Sequence, residues 1–126
     1  MPTPIRIEVG PLRLQGEFND TPCARAIVAL LPISAEPDTW GDEFFFPIGL
    51  DHPLEKGAAE RVEVGEIGYW PPGRALAIFF GPTPASQGSE PVAASAVNRV
   101  GRILGDATVL RAHRNALRIR LVRAEE

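Results

Sequence analysis

The sequence predicts a mainly β domain of about eight short strands with about two helices. Three observations lead there. Several short runs alternate apolar and polar residues with a period of two. Twelve glycines and thirteen prolines, about a fifth of the chain, punctuate those runs. Just two short stretches carry helical signals. Short strands broken so often by turns favour a closed barrel or a sandwich, and 126 residues make one domain of ordinary size.

Ile5 to Val9 reads Ile-Arg-Ile-Glu-Val, a half-buried strand, and Gly10-Pro11 turns it into a second alternating run from Leu12 to Phe18. The period then changes. Thr21 is placed to cap a helix with Pro22 at its first position, where a missing N–H is harmless. Cys23, Ile27, Leu30 and Leu31 form its apolar stripe, and Pro32 ends it. On that stripe Cys23 reads as a packing cysteine and not a reactive one. Thr39 to Ile48 (TWGDEFFFPI) is aromatic and strand-like, and Asp51 to Glu60 is a polar loop. Val62 and Val64 alternate with Glu63. Ile67 to Trp70 and Ala75 to Phe80 then flank a tight Pro71-Pro72-Gly73 corner. Thr83 to Ala94 reads as a loop of small residues and Val97 to Leu104 as a strand with a close approach at Gly101. Asp106 caps a short helical stretch through His113. Ala116 to Val122 closes the domain with Leu117, Ile119 and Leu121 facing inward.

Bulk properties exclude several function classes. A net charge of −3 offers no electrostatic reason for nucleic acid or an anionic membrane. Seven arginines fall between Arg99 and Arg123, but Arg118 and Arg120 alternate with apolar residues as on the solvent face of a strand. With twelve arginines and one lysine, arginine is simply the usual cation of this chain. The start of the sequence lacks the basic and apolar regions of a secretory signal, and no apolar run is long enough to span a membrane. A single cysteine excludes an internal disulfide. The expectation is a soluble cytoplasmic protein.

No residue pattern identifies a cofactor. The two histidines, His52 and His113, and Cys23 show no zinc-ligand spacing, so neither a metal nor a cofactor is expected. No glycine-rich phosphate loop and no G-x-S-x-G nucleophile motif is present. Asp42 and Glu43 are adjacent; in a strand they point to opposite faces and cannot share a proton, so they read as surface charges. The aromatic residues carry the remaining signal. Trp40, Phe44, Phe45, Phe46, Tyr69, Trp70, Phe79 and Phe80 cluster in two segments, and the alternation of strand faces means that not all of them enter one core.

Two further stretches make these residues specific. VEVGEIGYWPPGRALAIFFGPTP (62–84), followed by PVAASAVNRVGRILGD (91–106), resembles a family of small prokaryotic cyclophilin-like proteins of unassigned function. The upstream TWGDEFFF segment fits the same family. The resemblance implies a closed β-barrel of about eight strands with about two capping helices, similar in fold to the cyclophilin peptidyl-prolyl isomerases. Those enzymes combine an apolar proline pocket with an arginine that donates to the prolyl nitrogen, lowering a barrier of ~18–20 kcal/mol. Phe79 or Phe80 matches their pocket phenylalanine. Phe44-Phe45-Phe46 stands where they place Phe-His-Arg, and Ala77 or Ile78 replaces the glutamine before Phe-Phe. Small residues, Ala93 to Ala96, replace the pocket tryptophan and histidine. With no arginine matched, efficient isomerisation by that mechanism is not expected.

Three readings follow. The first is a binding module with an aromatic groove near Trp40, Tyr69, Trp70, Phe79 and Phe80, rimmed by Thr83, Ser95 and Asn98, for a small molecule or extended peptide. The second is a weak prolyl isomerase that uses a displaced arginine such as Arg74 or Arg99. The third is a homodimer whose interface buries the exposed aromatics.

Overall fold

The computed structural model describes residues 1–124. Its strands are β1 (Thr3–Val9), β2 (Leu12–Phe18), β3 (Ile33–Ala35), β4 (Asp38–Thr39), β5 (Glu43–Pro47) and β6 (Ala59–Arg61), then β7 (Glu66–Trp70), β8 (Ala75–Phe79), β9 (Val92–Leu104) and β10 (Ile119–Arg123). One helix, α1 (Pro22–Val28), follows β2. Two 3-10 stretches span Pro71–Gly73 and Ala107–His113. No helix among the described residues is long and apolar enough to cross a membrane.

The strands pair in the order β3-β10-β1-β2-β9-β7-β8-β5-β4, with β6 alongside β9 and every ladder antiparallel. The two ends of this order, β3 and β4, are separated in the chain by Glu36 and Pro37 alone. The sheet therefore curls round until its edges nearly meet. It does not close: β3 and β4 share no ladder, so the expected closed barrel is an open, barrel-like sheet. Pro37 has no N–H to donate there, and β4 is two exposed residues long, too short to complete a seam.

Local signals explain most elements. Gly10 takes φ +57 in the two-residue turn that brings Val9 opposite Leu12. Thr21 caps α1, its side chain accepting from the Ala24 N–H at 3.2 Å, with Pro22 in the first turn. The Glu55 carboxylate accepts from the Cys23 N–H at 2.8 Å and pins the 51–58 loop over the helix. Cys23 is fully buried, and burial pushes its thiol up. The stripe stops early. α1 ends at Val28, so Leu30 is exposed and Leu31 only half-buried. At the other end of the chain β10 begins at Ile119, leaving Leu117 in solvent instead of inward as expected. The predicted 39–48 strand is broken by a turn at 40–42, because Trp40 N–H folds back to the Glu43 carbonyl at 3.0 Å.

Two apolar cores result from the alternation of strand faces. The larger lies inside the curl and takes Ile5, Ile7, Phe18, Ile27, Phe44, Phe46, Tyr69, Leu76, Ile78 and Phe80 among others. The smaller lies on the outer face and comprises Val62, Ala77, Phe79, Ala93 and Val97, with Phe45 and Trp70 packed against it. β8 is buried on both faces and separates them. Phe44→Ala should therefore cost about 3–5 kcal/mol, because Phe44 is wholly enclosed. Phe45→Ala, one residue on and half-buried, should cost ~1–2 kcal/mol. Urea unfolding midpoints of the two variants check this; equal losses would contradict the two-core arrangement.

Candidate functional site

The outer face carries a candidate site. Across β5, β8 and β7 the register aligns Phe45 with Ala77 and Ala77 with Gly68, while Trp70 stands opposite Ala75. Small side chains thus occupy the middle of this face, with large rings on either side. The first half of β9 crosses above them, Ala93 and Val97 reaching down to Phe79 and Ala77. A depression of about 280 Å³ remains, lined by Trp40, Glu43, Phe45, Trp70, Ala93, Ala94 and Val97.

Two glycines set its walls. A Cβ on Gly68 would sit 2.7 Å from a Val97 methyl, so only glycine lets Val97 lie flat across β7. A Cβ on Gly73 would meet the Trp70 ring at 2.8 Å, so the Pro-Pro-Gly corner forms a ledge for the indole. The Trp70 Nε1–H donates to Ser95 Oγ at 2.7 Å, which satisfies the one polar atom of the ring and holds its orientation.

Among the described residues Glu43 is the one ionisable group in this wall. It follows from β5 alternation: Glu43 and Phe45 share the outer face, while Phe44 and Phe46 face inward. Its residue is 7% exposed, and Oε1 has no hydrogen-bond partner. Desolvation without a compensating charge pushes its carboxyl up to about 8, so it is mainly neutral at pH 7. Asp42 is the contrasting case. It is equally buried, but Arg111 binds one carboxylate oxygen at 2.8 Å and Arg114 the other. The reading of this pair as surface charges is thus corrected for both residues. Turning at 40–42 sends Asp42 toward the 107–113 stretch, and the next residue enters the outer face.

The residues expected around a groove divide sharply. Trp40 and Trp70 line the depression, and Ser95 holds Trp70. Phe79 lies beneath it, fully buried in the smaller core. Tyr69 and Phe80 are fully enclosed in the larger core and line no groove, since period two places them on the inner face. The Tyr69 hydroxyl donates to the Leu50 carbonyl and accepts from the His52 N–H at 3.1 Å. Asn98 is not a rim residue either. It is completely buried, accepting from Glu55 N–H at 2.7 Å and donating to the Pro53 carbonyl at 2.9 Å. Thr83 is buried too, and its hydroxyl donates to the Val92 carbonyl to tie down the 83–92 loop. Glu43, Phe45, Ala93, Ala94 and Val97 were not among the expected site residues. Strand alternation points to Glu43 and Phe45, but the fold of β9 over them is a long-range event.

Among the described residues no group of three His, Cys, Asp or Glu side chains is placed to hold a metal ion.

The antiparallel, barrel-like sheet defines the class of fold. The Cyclophilin-like family model matches residues 3–122, and the chain belongs to that family. Among solved structures it is similar to the hypothetical protein AF2241 from Archaeoglobus fulgidus, with 32% identity, a TM-score of 0.79, and coverage of 98% of this chain and 95% of that one. It also shares its fold with McbB, solved in complex with tryptophan, at 16% identity and a TM-score of 0.74; the match covers 97% of this chain and 45% of McbB. No curated protein matches the chain.

Glu43 also sets a pH dependence of stability. The unfolded chain loses this proton near 4.5 and the folded protein near 8, so stability falls as pH rises across that window. The burden is on the order of 3 kcal/mol near pH 7. Glu43→Gln keeps the shape and removes the ionisation, but leaves a buried amide that itself costs ~1–2 kcal/mol. The variant should therefore be more stable than the parent by ~1–3 kcal/mol near pH 8 and lose that advantage toward pH 5. Thermal unfolding at both pH values checks it; a variant less stable at the higher pH would refute the buried-acid assignment.

Proposed function

We propose that the protein is a small-molecule binding module whose site is the Trp40–Trp70 recess. The observation that carries this reading is a half-open apolar hollow walled by three aromatic rings, with one unpartnered buried carboxyl in it. Ligand sites combine these features: apolar walls supply affinity, and a few polar groups set orientation. A buried carboxyl without a partner weakens the fold, and a bound ligand offers it one. The size favours a small ligand, because about 280 Å³ lies just below the usual range for drug-sized compounds. McbB, of the same fold, was solved with tryptophan, a ligand of that order of size.

The isomerase reading draws less support. No arginine lines the recess among the described residues. Arg74 is exposed at the left-handed end of the Pro-Pro-Gly corner, and Arg99 pairs with Glu66 at 3.1 Å. Neither guanidinium stands in for the donor that weakens the prolyl amide.

Screening a small fragment library by two-dimensional amide and indole NMR tests the proposal. Binding fragments should shift the Trp40 and Trp70 indole N–H signals and the Ala93 and Ala94 amides together. Trp70→Ala should weaken the best fragment by about tenfold or more. Shifts centred instead on the polar surface around Glu66 and Arg99, or no saturable fragment at all, would overturn it.

A further inference from the structure

The recess has a composition that selects for charge as well as size. Trp40, Phe45 and Trp70 present aromatic rings around one space, and among the described residues Glu43 adds the only ionisable side chain. The ring pairs among the described residues are Phe44–Phe80, tilted, and His52–Tyr69, edge-on, neither of which belongs to the recess. The three rings of the site are therefore not paired off with one another, and among the described residues no lysine or arginine lines the space with them. Aromatic faces carry negative potential and attract cations, most strongly where water is excluded. A cluster of such faces with one carboxyl is complementary to an organic cation whose charge is spread over apolar carbon. The Glu43 carboxyl, which lines the recess and has no paired cation among the described residues, supplies the counter-charge.

We propose that the site takes a small organic ammonium ion, of the quaternary or fully alkylated type, with the aromatic rings around its alkyl groups and the Glu43 carboxylate against its charge. This rests on the binding reading above and names the ligand class. Alkylated ammonium fits better than a primary amine. It has few or no N–H groups to satisfy, and among the described residues Glu43 is the one side-chain acceptor in the walls, since the Trp70 indole only donates. The volume admits a headgroup of choline size without a long tail.

The charge balance is simple. Near pH 7 the empty site holds Glu43 as the neutral acid. A bound cation stabilises the carboxylate, and one proton leaves to solvent. The groups around Glu43 leave this titration uncoupled. β8 sets Phe79 opposite it, β9 brings Ala93, Ala94 and Val97, and β7 brings Trp70. Asp42, the adjacent acid, is engaged by Arg111 and Arg114, which do not line the recess.

The test uses tryptophan fluorescence of the full chain titrated with choline. The control is its neutral carbon isostere, in which a tert-butyl group replaces the trimethylammonium. Choline should saturate the signal and bind at least ~5–10-fold more tightly than the isostere. Choline has no proton to lose below about pH 12, so any pH effect reports the protein; its affinity should tighten roughly tenfold from about pH 7 to about pH 9. Calorimetry near pH 7 in buffers of different ionisation enthalpy should show release of close to one proton. Glu43→Gln, which removes the charge and is expected to fold, should abolish both the pH effect and the proton release. Equal binding of choline and isostere would refute the cation assignment and leave the binding function standing, as would choline affinity that is flat with pH in the parent protein. Saturation by neither probe, with fragments still binding at the tryptophan indoles, would likewise reject only the ligand class.

Discussion

The rest of the structure depends on the burial of β8 on both faces. A strand enclosed on two sides must satisfy two different packing environments with alternate side chains. Leu76, Ile78 and Phe80 fill the inside of the curl, while Ala77 and Phe79 face the other way. The neighbours β5 and β7 inherit that division through their registers. Large residues inside make a dense core. Small residues outside leave a hollow that β9 partly roofs. The recess is thus a consequence of volume: Ala77 and Gly68 at the centre cannot fill the gap between Phe45 and Trp70.

On that outer face the energetics turn unfavourable at one point. The chain contains two adjacent buried acids, and it neutralises one with two arginines while leaving the other alone. The Asp42 cluster ties the 40–42 turn to the 107–113 stretch. It also delivers Trp40 and Glu43 to the recess with a defined geometry, since Phe80 N–H donates to the Asp42 carbonyl at 2.8 Å and Asp42 N–H donates to the Pro82 carbonyl at 2.9 Å. A fold selected for stability alone has no reason to keep an unpartnered carboxyl in an apolar wall. Such a local conflict, in an otherwise consistent packing arrangement, is where function is expected to lie.

Membership of the Cyclophilin-like family accounts for the architecture but not for a reaction, because one fold serves unrelated chemistries. At the recess itself, Ala93, Ala94 and Val97 lie beside Trp40, Phe45 and Trp70, with Glu43 in the same wall. The aromatic run 44–46 alternates about the sheet, Phe44 and Phe46 facing the larger core and Phe45 the smaller.

Much of this was legible before the fold was known. The β1–β2 hairpin, the Thr21 cap with Pro22, the Pro-Pro-Gly corner and the Asp106 cap each rest on interactions within a few residues. Such local signals survive in the sequence because the partners are neighbours in the chain. Trp40 and Trp70, expected beside a groove, both line the recess. Tyr69, Phe80 and Asn98 were not separable from them, since burial depends on which face of the sheet becomes the inside, and no single strand carries that information. Glu43 shows the limit most clearly. By itself the sequence determined that Glu43 and Phe45 share a strand face opposite Phe44 and Phe46. The tertiary structure decided that this face is covered by β9, that Asp42 takes both arginines, and that Glu43 is left without a partner. The physical reason is that desolvation and charge pairing are set by residues fifty to seventy positions away, such as Ala93, Val97 and Arg111, which only folding brings near.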